Sequence, residues 1–241
     1  MYDFGKIVYL DVQKTGSTFV RRFLEHNLLA PLEKQEQHAP VTGDYRSEST
    51  YVISVRNPLE HYFSLFRFGL DGRGQVYFYL RKKKMGYLYN DASFAGFEKW
   101  LAFFLSPRAA KYTGDTYRNA RPRLYGYQSY RFLTLSFQNP HKTLKKRYTR
   151  QSLQARYEAE KIHSHVLHTE TLGADLLALA DSSLAPLFRP PAEIGAYLAD
   201  TGKINASQTD VAMSLANISP ELLTRLKDRE WFIYRNFYPD A

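Results

Sequence analysis

Twice along the chain an unbroken apolar run stops at a short polar turn, and apolar residues then recur at three- and four-residue spacing. The first instance is Ile7-Val-Tyr-Leu10, followed by Asp11-Val-Gln-Lys-Thr-Gly-Ser-Thr18 and an amphipathic stretch. A short apolar run bounded by turn residues predicts a buried strand, and the spacing after it predicts a helix. The second is Tyr51 to Val55, β-branched or aromatic apart from Ser54, which runs into Arg56-Asn57-Pro58. Asn as N-cap with proline in the first turn predicts a helix start, and Tyr62, Phe63, Leu65 and Phe66 supply that helix with apolar faces.

The remaining pattern is coarser. Asp71-Gly-Arg-Gly74 breaks the second helix, and Val76 to Leu80 fits either a strand or a helical turn. Phe94 to Leu105 predicts a buried helix, 106–131 predicts loops and short helices, and 151–161 is helical by composition. His165 to His168 predicts a third core strand, followed by a helix over Thr171 to Ala180, a turn at Pro186 to Pro191, a short helix over Ala192 to Leu198 and a terminal amphipathic helix over Pro220 to Phe237. With 241 residues and 44% apolar content, one substantial core is attainable. The expectation is a single α/β domain over 1–241: a small central parallel sheet flanked by helices, with insertions over about 71–150.

Charge changes the picture next. Lys and Arg number 33 against 24 Asp and Glu, a net charge of +9, so the surface attracts anions. Basic residues cluster at Arg81 to Lys84, at Arg118 to Arg131 with Tyr117, Tyr125, Tyr127 and Tyr130 interleaved, and at Lys142 to Arg150. The interleaved stretch fits a stacking surface for sugars or bases, or else a solvated face. There is no cysteine, which excludes disulfides and thiolate metal sites. No apolar run reaches membrane-spanning length, and the amino terminus enters the first strand almost at once, so neither a membrane span nor a leader is expected.

The Lys14-Thr15-Gly16-Ser17-Thr18 turn lies where a strand feeds a helix, the layout in which backbone N–H groups and the helix dipole favour an anion. It departs from the nucleotide-triphosphatase loop, which needs a glycine five residues ahead of Gly-Lys-Ser/Thr. Alone it also fits an ordinary strand-to-helix connection. About forty residues on, Arg56 ends a strand and Ser64 follows two helical turns later, a guanidinium fork and a hydroxyl suited to a second phosphate.

Together these motifs resemble those of sulfotransferases that use 3′-phosphoadenosine 5′-phosphosulfate. Lys14 to Thr18 is similar to their 5′-phosphosulfate loop, and Arg56-Asn57-Pro58 with Ser64 is similar to their 3′-phosphate segment; His61 stands where the family often has Arg. The resemblance is sharp over 6–18 and 51–69 and looser at Lys203-Ile-Asn-Ala-Ser207, ahead of a helix near Ser219. It implies a P-loop-like three-layer sandwich and transfer of a sulfuryl group to a hydroxyl of a carbohydrate-like acceptor, one that includes anionic glycans, without a metal. It also implies that the chain is a cytoplasmic, bacterial-like member or a soluble catalytic domain trimmed of a membrane anchor.

On that resemblance Lys14 stands beside the bridging oxygen, residues 15–18 hold the 5′-phosphate and sulfuryl oxygens, Arg56 and Ser64 clamp the 3′-phosphate, and Lys203 and Ser207 close over the nucleotide. His38, in Gln37-His-Ala-Pro40, matches the family's histidine between the two motifs and is the candidate general base; an exposed loop histidine is the plainer reading. Asp11 is placed to hold Lys14, and Glu60 to orient Arg56. His163, His165 and His168 do not share one strand face, so no metal site is expected from them. Two rival readings stay open: a kinase with a degenerate loop, and a nucleic-acid or polyanion-binding module, although nucleic acid is not expected under the sulfotransferase reading.

Overall fold

The computed structural model describes residues 1–43, 45–200 and 217–241. In chain order the elements are β1 (Tyr2–Asp3), β2 (Ile7–Leu10), α1 (Ser17–Asn27), β3 (Lys34–Gln35), β4 (Thr50–Val55), α2 (Pro58–Leu70), α3 (Gln75–Lys82), α4 (Phe94–Phe104), α5 (Tyr127–Ser136), α6 (Pro140–Thr143), α7 (Arg150–Glu160), β5 (His165–His168), α8 (Leu172–Ala180), α9 (Pro191–Asp200), α10 (Pro220–Arg229) and α11 (Trp231–Phe237). The class is α/β. Of the described residues, Met1–Arg56, Phe132–Pro140 and 156–200 form one compact unit, and Asn57–Arg131, His141–Ala155 and 217–241 form a second. No helix among the described residues is long and apolar enough to cross a membrane.

The first unit holds a five-stranded sheet of order β3-β1-β2-β4-β5. Its centre is parallel: Ile7 to Leu10 of β2 face Thr50 to Ile53 of β4, and Val52 to Val55 face His165 to His168 of β5. The sheet is mixed rather than all parallel, because β1 and β3, two residues each, add antiparallel strands beside β2. On one face Ile7, Tyr9, Val52 and Leu167 pack against Val20, Phe23 and Leu24 of α1 and Leu176 and Leu179 of α8. The α1 residues repeat at helical spacing, and each large apolar side chain removed from water in this way contributes ~1.5–3 kcal/mol.

The second unit is built on aromatic packing. Asn57 caps α2 by accepting from the Leu59 N–H at 3.0 Å, with Pro58 in the first turn, as the pattern predicts. Tyr62 and Phe66 of α2 meet Trp100 of α4 at ring-centroid distances of 6.3 and 5.7 Å, and Trp100 stacks on Phe104 at 4.3 Å. The ambiguous run at Val76 to Leu80 is helical, within α3. Tyr117, Tyr125, Tyr127 and Tyr130 are all buried, which removes them as a stacking surface and leaves the arginines between them outside.

The expected terminal helix is two helices, α10 and α11, parted at Glu230. That side chain is fully buried. Its carboxylate accepts the Tyr62 hydroxyl at 2.5 Å, the Ser129 N–H and hydroxyl at 2.9 and 2.6 Å, and the Gln128 N–H at 3.1 Å. Gln128 and Ser129 belong to the first turn of α5, whose N–H groups have no intrahelical partner, so the carboxylate serves as that helix's cap. Gly126 precedes α5 because a Cβ there would collide with the Glu230 carboxylate.

Candidate functional site at the carboxyl edge of the sheet

Because β2 and β4 are adjacent and parallel, the loop leaving β2 and Arg56 leaving β4 emerge at the same edge of the first unit. The Arg56 Nη1 approaches the Lys14 carbonyl at 3.5 Å. Along the loop, Lys14 and Gly16 both have left-handed backbones, with φ of 66° and 76°. Gly16 is the residue before α1; its left-handed dihedral favours glycine, and a Cβ on it would sit 2.9 Å from Leu172 Cδ2, so that methyl group would have to shift. No side chain caps α1. The N–H groups of its first turn, Ser17 and Thr18, thus have no intrahelical acceptor, which is the condition for anion binding there. Lys14, Gly16, Ser17 and Thr18 are half-exposed.

Thr15 differs from its neighbours. It is fully buried, and its hydroxyl donates to the Val12 carbonyl at 2.8 Å and pairs with Ser54 Oγ at 2.5 Å, while Ser54 also meets the Tyr9 hydroxyl at 2.7 Å. This hydroxyl chain fastens the loop to β2 and β4. The Thr15 hydroxyl therefore faces the core rather than a ligand, and only its main chain is left to line the loop. Burial pushes the Tyr9 hydroxyl far above its ordinary range and keeps it neutral.

His38 is held at the base of the same loop. Its N–H donates to both Asp11 carboxylate oxygens, at 2.9 and 3.1 Å, and its Nδ1 lies 2.7 Å from the Asp11 carbonyl and 3.0 Å from Asp11 Oδ2. Asp11 is fully buried and also pairs with the Met1 ammonium at 2.8 Å. Burial works to raise the Asp11 carboxyl, but His38 and the Met1 ammonium outweigh it and hold the group below its usual value. A left-handed backbone at His38, with φ of 58°, accompanies this clamp. The imidazole is not a loose loop side chain.

At the third strand end, the His168 N–H donates to Asp175 Oδ2 at 2.6 Å, with its Nδ1 3.2 Å from the same oxygen. The Thr171 hydroxyl donates to Asp175 Oδ1 at 2.9 Å, and the Thr169 hydroxyl to the Val55 carbonyl at 2.9 Å. His163 is turned into the core, with its Nε2 3.1 Å from the Tyr157 hydroxyl; burial, helped by Lys161, lowers it to about 4. Among the described residues, no three His, Asp or Glu side chains are grouped to hold a metal.

The structure thus brings Lys14, Thr15, Gly16, Ser17, Thr18, His38 and Arg56 to one edge of the first unit. Ser64 is half-buried on α2, in the second unit. Lys203 and Ser207 lie outside the described residues. Asp11 as the clamp of His38, and Asp175 as the partner of His168, have no local signature in the sequence. Compared with family models, with curated proteins and with solved structures, the chain matches none of them.

Proposed function

We propose that this chain transfers a sulfuryl group from 3′-phosphoadenosine 5′-phosphosulfate to a hydroxyl of a carbohydrate-like acceptor, on a P-loop-like α/β scaffold. The observation that carries the reading is the shared edge of β2 and β4, which sets a glycine-containing loop, an uncapped helix N-terminus and Arg56 beside one another. A nucleotide phosphorylated at both 5′ and 3′ positions suits two neighbouring anion sites. A kinase would need an acidic metal ligand at the end of a core strand; β4 is followed by Arg56, and the carboxylate of Asp11, which follows β2, is taken up by His38 and the Met1 ammonium.

In this scheme Lys14 and the main-chain N–H groups of 15–18 bind the 5′-phosphate and the sulfuryl oxygens, and Arg56 binds the 3′-phosphate. The acceptor oxygen attacks sulfur in line, the bond from sulfur to the bridging oxygen breaks, and the 5′-phosphate leaves on 3′-phosphoadenosine 5′-phosphate. His38 takes the acceptor's proton. The Asp11 carbonyl can only accept, so Nδ1 carries the ring hydrogen and Nε2 presents a lone pair.

The test is transfer of labelled sulfate from the donor into a panel of glycans, phenols and small alcohols. We expect label in a glycan and a loss of about a hundredfold or more in His38→Ala. Undiminished turnover in His38→Ala removes this base, and absence of label from every acceptor together with no donor binding removes the reaction.

A further inference from the structure

The second unit contains an open groove of about 480 Å³ lined by the exposed side chains of Arg118, Arg121, Arg123 and Arg147, together with Leu124 and Tyr148. No carboxylate lines it, and among the described residues none of these four arginines forms an ion pair. Four exposed guanidinium groups around one groove concentrate positive charge that an anion shared between them would offset. Their planar forks match tetrahedral oxyanions.

The segment carrying three of the arginines is held from behind. Arg229 donates to the Pro122 carbonyl, to the Tyr125 carbonyl at 3.1 Å and to the Tyr117 hydroxyl at 3.1 Å, and Trp231 Nε1 donates to the Leu124 carbonyl at 2.8 Å. The Arg121 Nη2 reaches the Lys145 carbonyl at 3.3 Å and ties this segment to the one bearing Arg147. Arg121 also keeps a left-handed backbone, with φ of 59°, a conformation that persists only where surroundings fix it. The main chain beneath these exposed arginines is therefore fixed before a ligand arrives, which lowers part of the ordering cost of binding.

We infer that this groove binds a small molecule densely substituted with sulfate or phosphate esters, of the size of one or two sugar rings. The volume falls in the range of small-molecule pockets. Nucleic acid fits it less well, because single strands are held by several exposed aromatic faces. Here the neighbouring tyrosines are buried, leaving Tyr148 as the one ring in the lining.

Sucrose octasulfate and myo-inositol hexakisphosphate are the probes, titrated into the full chain by calorimetry beside an RNA hexamer. At least one of the two esters should bind, the stronger one naming the preferred oxyanion. Arg118→Ala and Arg147→Ala should each weaken it about tenfold, while Arg118→Lys should lose less and the exposed control Arg108→Ala should change affinity less than about twofold. Circular dichroism verifies that each variant is folded. Binding of neither ester, equal binding by folded Arg118→Ala and Arg147→Ala, or tighter binding of the RNA overturns the assignment.

Discussion

The Nδ1 of His38 lies 2.7 Å from the carbonyl of Asp11, and the His38 N–H donates to both oxygens of the Asp11 carboxylate. One buried residue thereby fixes the ring, its tautomer and the backbone of a segment 27 positions away. Asp11 also directly follows β2, so the imidazole and the loop carrying Lys14 share a single anchor.

Replacing Asp11 with Asn keeps the volume and removes the charge that faces both His38 and the Met1 ammonium. Breaking a buried pair leaves an uncompensated charge, so Asp11→Asn should cost about 3 kcal/mol in urea unfolding at pH 7. The Asp11 carboxyl is depressed in the fold. Its stabilisation is complete above the ordinary value of 3.8 and is lost as pH falls below it. A cost under ~1 kcal/mol would put the pair in the class of exposed ion pairs.

Gly16 is held by two constraints that can be separated. Gly16→Ala must accept both φ of 76° and contact with Leu172 Cδ2, a combined cost of about 1–3 kcal/mol. Pairing it with Leu172→Ala relieves the contact but not the dihedral. The double variant should therefore be less destabilised than the sum of the two single variants; strict additivity in denaturation would show that Leu172 does not limit the position.

The histidine buried beside Tyr157 sets an acid limit on stability. His163 is lowered from 6.5 to about 4, so between those values the unfolded chain binds a proton that the folded chain refuses. Unfolding free energy then rises with pH through this window and levels off above it, by about 3 kcal/mol at most. In His163→Phe, urea midpoints should depend less on pH between 4 and 6.5. An unchanged slope would assign the acid sensitivity elsewhere.

Glu230 organises the second unit as Asp11 does the first. Glu230→Gln replaces an acceptor-only carboxylate with an amide whose NH₂ faces the Ser129 and Gln128 donors, and should cost about 2–4 kcal/mol. Tyr62→Phe removes one donor and should cost less, ~1–2 kcal/mol. Equal costs in thermal unfolding would mean that the α5 cap contributes little.

Which parts of this arrangement are legible in the sequence follows from the range of the interactions. Ile7 to Leu10, Tyr51 to Val55 and the Asn57-Pro58 cap are local patterns, and they appear in β2, in β4 and at the start of α2. β1 and β3 are two residues long, too short to carry a period, so the mixed character of the sheet is invisible beforehand. The burial of Tyr117, Tyr125, Tyr127 and Tyr130 depends on partners such as Arg229, 112 positions from Tyr117. A Tyr-Arg alternation reads the same whether the rings face in or out. The break of the terminal helix at Glu230 likewise depends on Tyr62 and Ser129, far away in the chain.

The central claim is that the loop after β2 and Arg56 after β4 serve one nucleotide with phosphates at both ends. Titration of the chain with 3′-phosphoadenosine 5′-phosphate and with adenosine 5′-phosphate, before and after Arg56→Ala, tests it directly. The account predicts that the 3′-phosphate improves affinity by about tenfold or more through a charge-assisted contact, and that Arg56→Ala abolishes this advantage. Equal affinity for the two nucleotides, or an advantage unchanged in Arg56→Ala, would contradict it.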